Sequence, residues 1–576
     1  MTRDIEKLIG QMTIEEKALL TTGATMWSTN PVDRVGIPAV TVTDGPAGAR
    51  GPITPGIGTQ VATLCIPCGS ALGATFDVLL LEELGVALGH QTRSKGARVL
   101  LAPTVNLHRS PLFGRAFECY SEDPLLSGKL GASFIRGAQS QGIATTVKHF
   151  VGNDAEFERM TINSVIDQRT LREVYLLPFE LAVREGGSLG IMTSYNRMNG
   201  MYCAENRELL QNILRDEWGF EGFVVTDWFA GFTTEGAAHA GLDLEMPAPP
   251  RGYGKFLAEA VKEGRIDEAD LDRAVRTLLS TFDRLGALDD EPQAPIAIDL
   301  PEHRQLARRA AVSSMVLLRN EKVNDQSLLP LNTNGLKSVA VIGPNAERTR
   351  IMGGGSAEVM PHHRTAIIDV LRERLGAKVA VRHEAGGNID KTTPTVDPLM
   401  VKRPDGTPGF EVVVFDGDAS NNTELTRVHR PDGRIMLVAR NDPGVPTSSY
   451  HFAATGIVTV ETTGQYIVSL VEVSPCRLLL DGQMVVDGAS TIPARGQSFF
   501  GMGSVELTAI VDLVAGQPHE LVLECDATNK QWAHGAQVGL QFVEQDDPVR
   551  RAVELAAECD IALVVVGTTD DWESEG

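Results

Sequence analysis

Up to Pro250, short apolar runs that end in polar residues recur along the chain, and stretches with helical spacing of their apolar side chains lie between them. Ala39 to Asp44 and Val99 to Asn106 are the first two runs. Ala144 to Val147 leads into Lys148-His149, Leu189 to Met192 into Ser194-Tyr195-Asn196, Phe223 to Val225 into Thr226-Asp227-Trp228, and Leu242 to Leu244 into Glu245-Met246. Segments 78–96, 167–186 and 205–218 carry the helical period. Strands alternating with helices predict βαβ units around a parallel sheet, and the number of repeats predicts a (β/α)8 barrel over residues 1–288. The C-terminal strand ends of such a barrel share one mouth, so Asp44, His149, Tyr195 and Asp227 are expected to converge.

The pattern then changes twice. An Asp- and Pro-rich linker, 289–301, precedes a helical stretch at 302–320 and a strand at 338–343, which open a second α/β unit over 302–400. From Gly409 a period of two takes over, with turns at Asp481-Gly482 and Asp487-Gly488, predicting an all-β module over 401–545. Helical spacing returns at 548–559 and the apolar strand 561–566 follows. The β module therefore reads as an insertion, with 546–576 continuing the second α/β unit, an α/β sandwich. A parallel strand this close to the last residue, with no covering helix behind it, is expected to belong to an incomplete domain.

At 576 residues the chain is too long for one core. Its 43% hydrophobic content and mean hydropathy of -0.05 describe a soluble globular protein. A net charge of -23 excludes nucleic-acid and anionic-membrane partners by long-range repulsion and favours small neutral ligands; a homo-oligomer stays open. The cysteines at 65, 68, 119, 203, 476, 525 and 559 are odd in number and scattered, hence reduced thiols. Cys65 and Cys68 have CxxC spacing but no second pair to complete a zinc site, so no metal is expected. Met1 to Leu20 lacks the apolar centre of a signal peptide, and no run has membrane-spanning length. With Met1 as the true start, a cytoplasmic location is expected.

Several residues carry candidate chemistry, each with a plain rival. Asp227 ends an apolar strand beside Trp228, the arrangement of a sugar site, yet an aspartate there also caps helices and Trp228 also packs cores. Lys148-His149 offers donors for hydroxyls or a carboxylate; a lysine paired with a buried acid is the alternative. Asp44 precedes Gly45-Pro46 and fits either a ligand contact or an Asx turn. Arg115 is a site cation or the ion-pair partner of Glu118 or Glu122. The acidic run 570–575 follows a strand, where open α/β sheets bind ligands, and reads equally as a solvated loop. Gly353 to Ser356 lacks the Gly-Lys-Ser/Thr of a phosphate cradle and reads as a flexible turn.

Thr43 to Arg50, Gly114 to Glu118, Lys148-His149-Phe150, Leu214 to Gly222 and Thr226-Asp227-Trp228 together resemble glycoside hydrolase family 3 in its β-glucosidase branch. The resemblance implies a (β/α)8 barrel followed by an α/β sandwich, with the pocket between them. In one subgroup a PA14 domain interrupts the sandwich, and 401–545 is similar to it. By the same resemblance the nucleophile falls on Asp227, and the sugar-binding positions fall on Asp44, Arg115, Lys148, His149, Tyr195 and Trp228, with Arg50, Arg159 and Met192 as neighbours. The acid/base is the glutamate before glycine, Glu575, with Glu573 as competitor. Relatives continue past this glutamate, so its loop is expected to fray here. The implied activity is retaining, exo-acting hydrolysis of terminal β-D-glucosyl units in small β-glucosides or oligosaccharides, without a cofactor. Asp227 is expected ionised, helped by Lys148 and nearby arginines, and Glu575 protonated at the start. A β-xylosidase or other β-glycosidase of the same family and an inactive carbohydrate-binding fragment are the alternatives.

Overall fold

The computed structural model describes residues 3–51, 61–289, 293–323, 325–438, 442, 444–496, 498–499, 501–529 and 533–575. Five short strands pair in parallel and in chain order: β1 (Val42–Asp44), β2 (Val99–Leu101), β3 (Ala144–Phe150), β4 (Gly190–Thr193) and β5 (Phe223–Thr226). Every residue in them is buried, as a parallel sheet covered on both faces requires. The crossover helices include α1 (Val78–Ser94) and α2 (Pro124–Gln139), whose first turns are closed by Asp77 and Asp123 accepting from backbone N–H groups. Among them too are α3 (Leu177–Arg184) and α4 (Glu208–Glu217), the latter wound in wide i→i+5 turns.

The regular ladder has five strands among the described residues, not the eight expected. The Leu242 to Leu244 run contributes a single parallel bridge, Val225 to Leu244; Glu245 then bridges Thr22, and antiparallel bridges Gly23–Thr29 and Ser28–Thr41 lead back to β1. The reason lies partly in Asp243, whose Oδ2 accepts from the Val224 N–H at 2.7 Å. A side chain there replaces a ladder bond, and Arg215 and Arg273 neutralise it.

The second α/β unit holds three parallel strands in the order β7-β6-β8: β6 (Ser338–Ile342), β7 (Ala380–Glu384) and β8 (Ile561–Val564). Between β7 and the helix α6 (Pro548–Glu558) the chain leaves to build two antiparallel sheets. One orders 424–430, 410–416, 450–459, 518–527, 476–480 and 483–487; the other orders 434–438, 533–542, 464–472 and 507–513. Their alternating inner faces share a core running from Val396 to Val538. A separate large core spans Ile9 to Ala310. Helix α5 (Pro301–Ser313), expected to open the second unit, packs instead on this first core through Ala310, with Leu306 and Ala307 at its edge. Among the described residues no helix is long and apolar enough to cross a membrane.

Candidate active site

Asp227 directly follows β5 and is buried. Its Oδ1 accepts from the Trp228 N–H at 2.7 Å, and the next helix starts only at Glu235, so the carboxylate caps no helix. Its Oδ2 is buried, makes no hydrogen bond among the described residues, and lies 3.5 Å from His149 Nε2. Burial raises the Asp227 pKa to about 6, opposed by Arg115 and Arg159, reinforced by the charge of Glu575 and opposed again by Lys148.

Strand β3 delivers two side chains at once. Its register with β4 shifts between Val147 and Phe150, an irregularity of the kind that re-aims side chains, and Lys148 and His149 are both buried. Lys148 Nζ donates to Asp44 Oδ1 at 2.7 Å, and the same oxygen accepts from the Gly45 N–H at 2.8 Å. For Lys148 the plain reading, a lysine paired with a buried acid, therefore holds together with its place in the site, whereas Asp44 forms no Asx turn, because the residue two on is Pro46 and has no N–H to donate. Asn106 orients the imidazole: its amide donates to the His149 carbonyl at 3.0 Å, while its oxygen accepts from the His149 N–H at 2.7 Å and faces Nδ1 at 3.1 Å. An amide oxygen only accepts, so the ring proton belongs on Nδ1 and Nε2 presents a lone pair. Burial and the cations Arg115, Lys148 and Arg159 hold the ring neutral, with its pKa well below the ordinary value. Two acceptors thus face each other, Nε2 and Oδ2. A proton on Asp227 or a ligand hydroxyl between them resolves the conflict.

Glu575 approaches from the second unit and is likewise buried. Its Oε1 accepts from the Ser356 N–H at 2.8 Å and from the Ser356 hydroxyl; its Oε2 accepts from Arg159 Nη2 at 2.9 Å. Arg115, which also pairs with Glu118, lies 3.6 Å from Oε1. Burial would raise the Glu575 pKa, but Arg115, Arg159 and the two Ser356 donors outweigh it and hold the carboxyl far below the usual range. The glycines before Ser356 make this seat. A Cβ on Gly353 would stand 2.4 Å from the Glu573 carbonyl oxygen, and one on Gly114 would stand 2.3 Å from that of Ser574. Gly354 N–H donates to the Glu573 carbonyl at 2.8 Å. The Glu573 carboxylate itself turns away to Thr568.

Aromatic rings line the first unit's side of the site. Trp228 packs on Trp27 with centroids 5.3 Å apart and donates from Nε1 to the Met26 carbonyl at 3.0 Å. Arg159 lies 4.4 Å over the Tyr195 ring, and Arg50 lies 5.6 Å over Trp27. A buried carboxylate with one free oxygen, a second carboxylate on a facing loop and aromatic plates suit a polyhydroxylated ring.

Residues 7–281 match the glycosyl hydrolase family 3 N terminal domain, and residues 315–576 match the glycosyl hydrolase family 3 C-terminal domain. A β-glucosidase of Rhizobium radiobacter is 40% identical over 99% of this chain and 68% of its own length. The chain belongs to glycosyl hydrolase family 3. A probable β-glucosidase I of Aspergillus oryzae is 36% identical, over 100% of this chain and 68% of that protein. The structure of a Kluyveromyces marxianus β-glucosidase in complex with glucose aligns with a TM-score of 0.89 at 32% identity, over 100% of this chain and 69% of that one. DesR, a β-glucosidase from Streptomyces venezuelae solved with D-glucose, aligns with a TM-score of 0.69 at 27% identity.

Within this family 3 chain, Asp44, Arg115, Lys148, His149, Arg159, Tyr195, Trp228, Asp227 and Glu575 form one connected cluster, and Arg50 reaches it through a 3.5 Å contact to the Ser356 carbonyl. Met192 lies in the apolar core of the first unit. Two expectations need correcting, those for the turn 353–356 and for the protonation order. In the Glu575 loop, where fraying was expected, four donors from three residues, Ser356, Arg159 and Arg115, surround a buried carboxylate. The turn 353–356 is a crowded seat, not a flexible connector. The expected protonation order is reversed, since the arginines lie closer to Glu575 than the sequence could specify. Ser356 and Asn106 were not anticipated; Asn106 ends the Val99 to Asn106 run, so the strand-end rule that found its neighbours applied to it as well.

Proposed function

We propose that this chain is a retaining, exo-acting β-glucosidase that hydrolyses terminal non-reducing β-D-glucosyl residues of small glucosides or oligosaccharides. The observation that carries the reading is the buried Oδ2 of Asp227, which makes no hydrogen bond among the described residues and, when ionised, faces only the lone pair of His149 Nε2. Asp227 attacks the anomeric carbon as the bond to the aglycone oxygen breaks, and Glu575 gives that oxygen a proton. Glu575 then takes a proton from the water that cleaves the glycosyl-enzyme ester. Lys148 with Asp44, His149, Arg115 and Tyr195 hydrogen-bond the sugar hydroxyls, and Trp228 stacks on the ring. In the free site Asp227 holds a proton below about pH 6 while Glu575 stays ionised; catalysis needs that proton on Glu575. Sugar hydroxyls that donate to Asp227 and draw Arg115 or Arg159 from Glu575 move it there.

The module at 401–545 is read as a PA14 domain interrupting the sandwich, and residues 1–288 as a (β/α)8-type barrel with irregular closure. The insertion topology and the separate β core support the first reading, and the five parallel strands, joined back to β1 through parallel and antiparallel bridges, support the second. Incubation with an activated 2-deoxy-2-fluoro β-glucoside tests the function. Mass spectrometry is expected to find the fluoroglucosyl group on the peptide containing Asp227. Saturable binding with no adduct would replace the enzyme by a carbohydrate-binding protein, and faster labelling by the corresponding xyloside would make it a β-xylosidase.

A further inference from the structure

Glu575 is held between two pieces of backbone, the loop that follows β8 and the turn carrying Ser356. Both pieces are gripped from outside by one side chain of the inserted β module. Arg434 opens the strand Arg434–Val438, its Nη2 lies 3.3 Å from Asp570 Oδ2 on the Glu575 loop, and its Nη1 lies 3.8 Å from Glu358 just beyond Ser356. Arg350 also pairs with Asp570, at 2.6 Å, but it belongs to the segment that forms the turn. Further ties run from the same loop toward the insertion: Trp572 Nε1 donates to the Ile389 carbonyl at 2.7 Å, and Thr392 reaches Asp571 at 3.4 Å. A cavity of about 480 Å³ opens at this junction, with Arg350, Arg434, Asp390, Asp570 and Asp571 in its wall. The two pieces meet directly through the Gly354 N–H to Glu573 carbonyl bond, and beside the cavity it is the Arg434 ion pairs that tie both of them to the inserted module.

We propose that Arg434 is a positioning residue for Glu575, through which the inserted module sets the reach of the acid/base toward the aglycone oxygen. This rests on the reading of Glu575 as that acid/base. The Arg434 side chain is 45% exposed, so its pairs add little to global stability; their effect is on where the loop sits. A proton donor held slightly out of place slows departure of a poor leaving group and leaves a good one untouched, because the good one needs no proton.

The test measures kcat/KM for methyl β-D-glucoside and 2,4-dinitrophenyl β-D-glucoside with the 576-residue chain and its Arg434→Ala, Arg434→Lys and Glu575→Gln variants. Arg434→Ala is expected to lower the methyl value about tenfold and keep the dinitrophenyl value within about twofold, against about 10²–10⁴ for general acid catalysis as a whole. Arg434→Lys recovers most of the loss. Equal loss on both substrates, or none on either, overturns the proposal. Glu575→Gln separates the two ideas. If it is selective for the methyl glucoside and Arg434→Ala is not, only the role of Arg434 fails; if it strikes both substrates alike, the assignment of Glu575 fails first.

Discussion

Replacing Asp227 by asparagine is expected to stabilise the protein at neutral pH while removing glycosyl-enzyme formation. Burial lifts this carboxyl from an ordinary 3.8 to about 6. The folded state therefore holds the proton more tightly than the unfolded chain, and the stability this contributes is fully present below pH 3.8 and is lost as pH rises through 6. Above pH 7 the ionised carboxylate costs the fold about 3 kcal/mol. Asparagine has the same shape, keeps the contact from the Trp228 N–H, and never ionises. At about 2 °C per kcal/mol for a domain of this size, Asp227→Asn is expected to melt about 6 °C above the parent at pH 7.5. The gap should close toward pH 4. Thermal melts of both proteins at one scan rate, from pH 4 to 8, check this, and other titrating groups cancel in the difference. A gap that stays flat across that range, or one that widens toward acid, would refute the claim that Asp227 is buried without enough compensation.

Substrate choice should reverse the pH profile: with dinitrophenyl β-D-glucoside only an ionised Asp227 is needed and kcat/KM rises through about pH 6, whereas with methyl β-D-glucoside the proton of that group is needed and kcat/KM falls about tenfold per pH unit above that point. Parallel profiles for the two substrates would sink this reading. Lys148→Met leaves Asp44 buried without its 2.7 Å partner and is expected to destabilise the fold by about 3–5 kcal/mol, much of it regained in the double variant with Asp44→Leu; denaturant melts showing simple additivity would count against the pair. Gly355→Ala forces a side chain into φ +75° with its Cβ 3.0 Å from Glu575 Cγ, so alkyl glucosides should lose turnover selectively, and equal rates with parent would show that the seat yields.

Parallel strands bring distant residues to one mouth by geometry alone, which is why Asp44, His149, Tyr195 and Asp227 were legible as a group from the sequence. Closure of the ring was not, because its last bridges depend on Asp243 replacing a ladder bond, a choice that apolar periodicity does not encode. The glycines at 353–355 failed for a related reason. Composition reads consecutive glycines as freedom, yet here they are small so that the Glu573 and Asp570 carbonyls and the Glu575 side chain can pass close by.

The protonation order shows where sequence reasoning stops on physical grounds. The charges expected around Asp227 are present, but a pKa depends on distance and hydrogen bonding more than on membership of a cluster. Arg159 stands 2.9 Å from Glu575 and Ser356 adds two donors there, while one oxygen of Asp227 has no donor at all among the described residues. The same set of charges with the guanidinium groups moved toward Asp227 gives the opposite assignment. Substrate hydroxyls arriving at that empty oxygen are therefore part of the acid–base apparatus, because they stabilise the Asp227 carboxylate at the moment its proton must be on Glu575.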